Sequence, residues 1–495
     1  MIFDPVVPPP GTVRDWLDAR ANGNGIAVVF PETGETLTWK VLRDDARATA
    51  QQMAERGIAK GESVAIIHPN GREGLVATYA TLYGGFRATM INLAAGSDAI
   101  SYALDHSGAR FAFVHSSQTE TLAQVAPKGV TKLEPNNLNN TLDLEDIAPD
   151  DHALLMYTSG TTGKPKGVVH SHSSLLAGGW TTAVAHKLTP QDCGFCVLPI
   201  YHINGLCVTV MGALVSGGSL AMVSKFSASK FWDQVETGHA TWFSVVPTII
   251  SHLLHGTADP QDTTRDRLRF GRSASSALAV ETQSAFETRF GIPIIETMGL
   301  TETAAQILSN PLPPDTRKIG SPGVGFGNDV QILTADLTEA PRGTEGEIAI
   351  RGPNVMREYF HNPAATSATF TGDWLRTGDL GHMDTDGYVF VTGRLKELII
   401  KGGENIAPRE IDEVLYSHND IIEAAAFARP CAQYGERVEA AVVIRDGSKL
   451  AESDLLLLCN KRLGAFKSPD RVHFLKELPK GPSGKIQRLK LTETL

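Results

Sequence analysis

Between Tyr157 and Val168 the chain reads YTSGTTGKPKGV. Those twelve residues hold three glycines, four Ser/Thr hydroxyls and two lysines, Lys164 and Lys166. That set of groups handles phosphate. Glycine lets the backbone approach an anion, hydroxyls and amide N–H groups donate to it, and lysine supplies charge. The segment is not a Walker A loop. That pattern needs four residues between its first glycine and its Gly-Lys pair, and here only Thr161 and Thr162 separate Gly160 from Gly163. A polar surface loop is the plain alternative. Against it, DHALLMYT immediately upstream reads as a buried strand, and the end of such a strand is where a ligand loop belongs.

Other polar clusters also end apolar runs. His202 follows CGFCVLPI, and Thr301 and Glu302 follow the strand-like PII within ETMGLTE. Asp379 lies in the turn of WLRTGDLG, and GRLKELIIKGGENI carries Arg394, Lys396, Lys401, Gly402 and Gly403. Lys485 lies in PKGPSGKIQR near the C-terminus. Taken singly, each has an ordinary reading: a satisfied loop histidine, a turn aspartate, a solvated lysine. GVGFG at 323–327 lacks a following helix and is no dinucleotide fingerprint. Cys193 and Cys196 form a lone C-x-x-C pair within an apolar run, so core cysteines are expected there rather than zinc ligands.

The elements that must position these residues alternate. SVAIIH (63–68), RFAFVH (110–115), HALLMYT (152–158), CGFCVLPI (193–200), SLAMV (219–223) and TWFSVV (241–246) read as strands. The stretches 74–83, 227–236 and 279–290 read as helices. Repeated βαβ order predicts parallel sheets flanked by helices, with ligands at the carboxyl ends of strands. Beyond about residue 345 short strands separated by Gly and Asp turns predict antiparallel structure. IDEVLYSH, AAVVIRDG and SDLLLLCNKRL then make a small α+β unit, with a boundary near Arg394 to Lys396.

Composition narrows the class. The 495 residues are 42% hydrophobic and 20% charged, enough for a large core in about three domain-sized units. Net charge is -10 with no basic run, which excludes a nucleic-acid footprint. The N-terminus lacks the basic and apolar regions of a signal peptide. No stretch approaches the ~18 apolar residues of a membrane span. Five cysteines suit a reducing cytoplasm.

In this order and spacing the motifs resemble the adenylate-forming enzymes, which include acyl-CoA synthetases, firefly luciferase and peptide-synthetase adenylation domains. The resemblance covers essentially the whole chain and is greatest to acyl-CoA synthetases. It implies an α/β fold: a large N-terminal domain (1–394) of stacked, mostly parallel sheets flanked by helices with a small β-barrel-like part, and a small mobile α+β C-terminal domain (395–495). It also implies the substrates ATP with Mg²⁺, a carboxylic acid and coenzyme A. The carboxylate would attack the α-phosphorus of ATP, pyrophosphate would leave, and a thiol would then displace AMP.

The resemblance assigns roles by position. Thr158, Ser159, Gly160, Thr161, Thr162 and Gly163 would wrap the β- and γ-phosphates, with Lys164 and Lys166 adding charge. Glu302 would be a magnesium ligand, with Thr161 a second. Thr301 would bond the α-phosphate. Ser275, Met298 and Gly299 would line the adenine site, Asp379 would accept from the ribose hydroxyls, and Arg394 would support that side. Lys485 would bridge the carboxylate and α-phosphate, and His202 would sit beside the acyl carboxylate. Lys396 would be the hinge of a rotation that withdraws Lys485 and brings the Gly402–Gly403 turn to the thiol tunnel.

The sequence departs from the family pattern at two places. Met298 stands where an aromatic residue usually stacks on adenine, and RSASSAL (272–278) replaces the usual Gly-Ala-Pro loop. Candidate acyl-pocket walls are His202, Asn204, Trp242, Phe243, Val246, Ser273, Ala274, Met298 and Gln306. Trp242 and Phe243 serve equally well as core. The polar members suggest a small or functionalised acid. Arg272 could meet a second carboxylate, although an ion pair within the fold is its expected use. Two alternatives remain: an adenylating enzyme that loads a carrier-protein phosphopantetheine, and a non-catalytic nucleotide-binding homologue. The expected partners are small molecules only, with a monomer or homodimer as the assembly.

Overall fold

The computed structural model describes residues 1–125, 129–135, 142–158, 165–481 and 486–495. Ser159, Gly160, Thr161, Thr162, Gly163, Lys164 and Lys485 lie outside the described residues. Four sheets organise the rest. Six parallel strands form the centre of the largest, in the order Ile26–Phe30, Ser219–Met222, Cys193–Cys196, Trp242–Val245, Phe270–Ser273 and Ile294–Leu300. Antiparallel strands extend both of its edges. The second sheet has seven strands. Its parallel part comprises His152–Thr158, Arg87–Met90, Ser63–Ile67, Phe111–Val114 and Thr131–Leu133.

The main core lies between these two sheets. It unites Val28, Leu220 and Cys196 of the first sheet with Val64, Ala88 and Leu154 of the second. Helices Arg72–Tyr83 and His172–Ala185 and the π-helix Asn204–Met211 fill the space between. The helix His172–Ala185 is buried on nearly every side, as expected for a helix without a polar face. Its Gly178 and Gly179 allow the close approach. A Cβ at Gly178 would stand 2.3 Å from the Ala304 carbonyl oxygen, and one at Gly179 2.6 Å from the Met211 backbone. Ser171 caps this helix by accepting from Ser174 N.

The segment read as barrel-like is a five-stranded antiparallel sheet that includes Asp329–Leu333, Gly346–Arg351, Trp374–Met383 and Val389–Arg394. The fourth sheet joins Ile399–Lys401, Glu404–Ile406, Ile421–Cys431 and Gly435–Ile444, with Arg471–Phe474 added in parallel. It has its own core, from Ile399, Ile411 and Leu415 to Val438, Leu455 and Cys459.

Two local expectations are corrected. The strand read as 193–200 ends at Cys196, because the chain turns at Pro199, whose carbonyl accepts from His202 N. The helix read from 227 begins at Phe231, after a tight turn closed by Lys230 N on the Ser227 carbonyl. Thr158 pairs antiparallel with Lys166, so the strands His152–Thr158 and Lys166–Ser171 lie side by side. Cys193 and Cys196 are buried free thiols, and burial pushes both pKa values up, to about 11 and about 12.

Candidate active site

The carboxyl ends of the first sheet's strands open onto a cleft of about 1220 Å³ including its mouth. Ser275, Met298 and Gly299 line one side, Asp379 and Arg394 another, and Glu397, Arg409 and Ile486 close it from the C-terminal part. Backbone geometry shapes the first wall. Ser275 has φ +75, a left-handed conformation seldom found outside glycine. Gly299 is obligatory, since a Cβ there would lie 1.5 Å from the Ala305 carbonyl oxygen. Glu296, a buried residue of this wall, accepts from Leu278 N and so holds the 273–278 loop. Burial raises the Glu296 pKa.

Asp379 and Arg394 face each other across adjacent antiparallel strands. Arg394 Nε donates to Asp379 Oδ1 at 2.5 Å. Asp379 is 4% exposed, and its turn is fixed by Thr377 Oγ1 and by Glu347, which accepts from Gly378 N. Burial opposes the Arg394 charge, but Asp379 together with Glu397 and Glu302 offsets it and the guanidinium pKa is raised. The pair can present carboxylate oxygen and N–H donors together to a polyhydroxy ligand.

Thr301 and Glu302 form a short turn after the strand Ile294–Leu300. The buried His170 holds that turn through its Nε2 contact with the Thr301 carbonyl at 2.7 Å. Tyr359 donates its hydroxyl to Glu302 Oε1 at 2.7 Å. Burial, and then the Glu302 charge, raise the Tyr359 pKa, so the phenol keeps its proton. Lys166 Nζ lies 3.9 Å from the Tyr359 ring centroid. Burial lowers the Lys166 pKa, Glu302 raises it and Lys396 lowers it, so two cations and a carboxylate share this corner. A half-buried carboxylate oxygen suits a hard cation such as Mg²⁺. Among the described residues no group of three His, Cys, Asp or Glu side chains gathers around a metal position.

The predicted residues thus fall into groups. Ser275, Met298, Gly299, Asp379 and Arg394 share the cleft. Thr301, Glu302, Thr158, Lys166 and Lys396 lie outside its lining, but Glu302, Lys166 and Lys396 are electrostatic neighbours. The Gly402–Gly403 turn, with φ +60 and +88, is exposed and takes no part in the cleft. His202 is outside the cleft's lining, but Asn204, two residues on, donates from its Nδ2 to Ser275 Oγ at 3.3 Å.

Trp242 and Phe243 take the core positions that the sequence left open for them. Phe243 is fully buried in the core on the far face of the sheet, and Trp242 stacks on Phe270 and His186. Alternation along one strand sends these neighbours to opposite faces. Arg272 makes no ion pair with any described residue, contrary to expectation. Tyr359 and Glu296 were not foreseen. Each meets its partner across 57 and 18 positions of sequence respectively, and no local pattern marks either.

Among the described residues, polar contacts join the C-terminal part to the rest. Val280 N donates to Glu413 Oε2 at 3.3 Å, Ser251 Oγ to the Ile422 carbonyl at 2.8 Å, and Arg409 Nη1 to the Val391 carbonyl at 2.6 Å. Ile486, next to Lys485 in sequence, bridges back to Lys480 and lines the cleft.

Comparison with known proteins agrees over the full length. Residues 16–360 match the AMP-binding enzyme family and 410–485 the AMP-binding enzyme C-terminal domain. The sulfoacetate–CoA ligase of Cupriavidus necator is 44% identical over 479 residues, 94% of each chain. The oxalate–CoA ligase of Arabidopsis thaliana is 36% identical, covering 89% of this chain and 90% of that one. The ATP-bound crystal structure of MatB from Rhodopseudomonas palustris superposes with a TM-score of 0.89 at 30% identity, covering 98% of this chain and 99% of that one.

Proposed function

This chain belongs to the AMP-binding enzyme family, and on that footing we propose that it is an AMP-forming acid–CoA ligase. In the first half-reaction a carboxylate oxygen of the acid bonds to the α-phosphorus of ATP and pyrophosphate leaves. In the second, the CoA sulfur bonds to the acyl carbon, AMP leaves, and the thiol proton passes to solvent or base. Two anions must first be brought together, which is the task of cations and oriented donors. The carrying observation is one cleft that unites Ser275, Met298 and Gly299 with the Asp379–Arg394 pair and is closed by Ile486.

In this reading adenine packs between Met298 and the Ser275 loop, with the Met298 thioether against its ring. Asp379 accepts from the ribose hydroxyls while Arg394 keeps it oriented. Thr301 donates to the α-phosphate. Glu302 would be the protein oxygen that holds a magnesium ion bound with ATP, and the ion would screen phosphate charge. Thr158, Lys166 and the residues 159–164 take the β- and γ-phosphates. Lys485 bridges the attacking carboxylate and the α-phosphate. Residues 1–394 and 395–495 act as two domains that pivot at Lys396. The separate C-terminal core supports that division.

The acid is small or functionalised. The named acids of the two relatives above are short and carry a second acidic group, a sulfonate or a carboxylate. The five free cysteines suit a cytoplasmic location, and among the described residues no helix is long and apolar enough to cross a membrane. Carboxylate-dependent ATP–pyrophosphate exchange is the direct test. Exchange with short acids followed by CoA-dependent release of AMP is expected, and no exchange across a panel of acids would overturn the reading.

A further inference from the structure

Arg272 is a fully buried cation with no anion of its own. It lies mid-sheet on the strand Phe270–Ser273 and is 1% exposed. No described carboxylate comes within ion-pair distance, and the residues outside the description contain no Asp or Glu. Its Nη1 donates to two neutral oxygens, Asn204 Oδ1 at 2.9 Å and Ser244 Oγ at 3.1 Å. Its Nε is buried without any acceptor. A charge left unpaired away from water is among the costliest placements in a fold. The cost is visible here: burial alone drives the Arg272 pKa down to about 9. An apolar side chain at this position would remove the penalty, so the guanidinium needs a reason of another kind.

Its neighbours supply the connection. Ser244 is in register beside Arg272 on the adjacent parallel strand and faces the same way. Asn204 begins the helix that follows His202, and one carboxamide spans the gap to the cleft. Its Oδ1 accepts from Arg272, and its Nδ2 donates to Ser275 Oγ at 3.3 Å. Ser275 lines the nucleotide cleft. The guanidinium therefore stands two hydrogen bonds and one amide behind the cleft wall. Asn204 is itself only 8% exposed, so the approach excludes most water and strengthens any charge pair formed there.

We propose that Arg272, with Asn204 and Ser244, is the recognition site for a second anionic group on the acyl substrate, which makes this enzyme selective for short acids bearing a carboxylate or sulfonate besides the carboxylate that is activated. The proposal rests on the ligase reading above and names its substrate class. The planar fork of arginine can give two parallel N–H bonds to either kind of anion. Nε, now without an acceptor, supplies one of them. The short path from Ser275 to Arg272 selects against long spacers between the two acidic groups.

The test pairs each dianion with a monoanionic counterpart: malonate with monomethyl malonate, oxalate with glyoxylate, and sulfoacetate with acetate. ATP–pyrophosphate exchange and thermal shift are measured for the wild-type protein, Arg272→Met and Arg272→Lys. The wild-type protein should favour at least one dianion over its counterpart by about 30-fold or more in kcat/KM. Arg272→Met should lose that preference with the KM for ATP unchanged, and Arg272→Lys should restore part of it. Monoanions exchanging as well as dianions, or a preference retained in Arg272→Met, would overturn the proposal and leave the ligase reading intact. Should Arg272→Met not fold, the wild-type panel and Arg272→Lys decide. Dianion-specific thermal stabilisation without exchange would support the anion site and remove the ligase reading. Neither exchange nor stabilisation with any dianion overturns the site.

Discussion

Tyr359→Phe isolates one hydroxyl at the corner where phosphate chemistry is placed. The hydroxyl donates to Glu302 Oε1 at 2.7 Å, and hydrogen bonds to a charged group contribute roughly 1.5–3 kcal/mol. Glu302 is half-buried, so water recovers part of the loss, and about 1–2 kcal/mol should remain in the transition state. That is about a 5- to 30-fold fall in kcat/KM for MgATP. The ring stays, so the Lys166 ammonium keeps its aromatic neighbour, and folding stability should change by about 1 kcal/mol or less. Because burial and Glu302 both hold the Tyr359 proton on, the defect should not vary between pH 6 and 9. The assay is pyrophosphate exchange at saturating acid with MgATP varied, in a double-mutant cycle with Glu302→Gln. If the hydroxyl acts by orienting Glu302, the double variant should be no worse than Glu302→Gln alone. A Tyr359→Phe enzyme within twofold of wild type, or strictly additive effects, would refute the reasoning.

Lys485→Ala should lower exchange by about 100-fold or more while sparing thioester formation from a supplied acyl-adenylate; equal loss of both half-reactions would contradict domain alternation. Gly299→Ala should destabilise the fold by about 3 kcal/mol in urea unfolding, because its Cβ would overlap the Ala305 carbonyl; wild-type stability would show that the two strands separate more easily than their packing implies. Acid should weaken the fold through buried histidines. Burial holds His170 and His186 at pKa values of about 4 and about 3, against an ordinary 6.5, so the unfolded chain binds more protons than the folded one. Their contribution is fully present above pH 6.5 and is lost as pH falls toward 4, at about 2 kcal/mol for each histidine by pH 5. Urea unfolding at pH 7 and pH 5 measures it, and a flat profile, or one unchanged in His186→Phe, would count against the assignment.

Much of the fold could be read in the sequence because its signals are local. SVAIIH, RFAFVH and HALLMYT are short apolar runs between turn residues, and each became a strand within a residue or so. The change of texture after residue 345 marked most of the antiparallel sheet, whose first strand Asp329–Leu333 lies before it, and residues after Arg394 form a core of their own. Element ends were less legible. CGFCVLPI continues apolar past Cys196, but the turn at Pro199 is set by the helix it must feed. The face a residue takes was not legible at all at Trp242 and Phe243, where both neighbours are aromatic and the pattern carries no alternation.

The sequence by itself determined the chemistry. The glycine-rich segment, Glu302, Asp379, Arg394 and Lys485 are residue types at fixed spacings, and their meaning does not depend on what packs around them. Tertiary structure decided the partnerships. Only the fold sets Tyr359 against Glu302, places Arg394 beside Asp379 across a strand pair, and encloses Arg272 with Asn204 and Ser244 but no carboxylate. The physical reason is range. A motif is written in neighbouring residues, whereas the cost of burying a charge depends on every group the fold brings near it, and those groups come from strands and helices far apart along the chain.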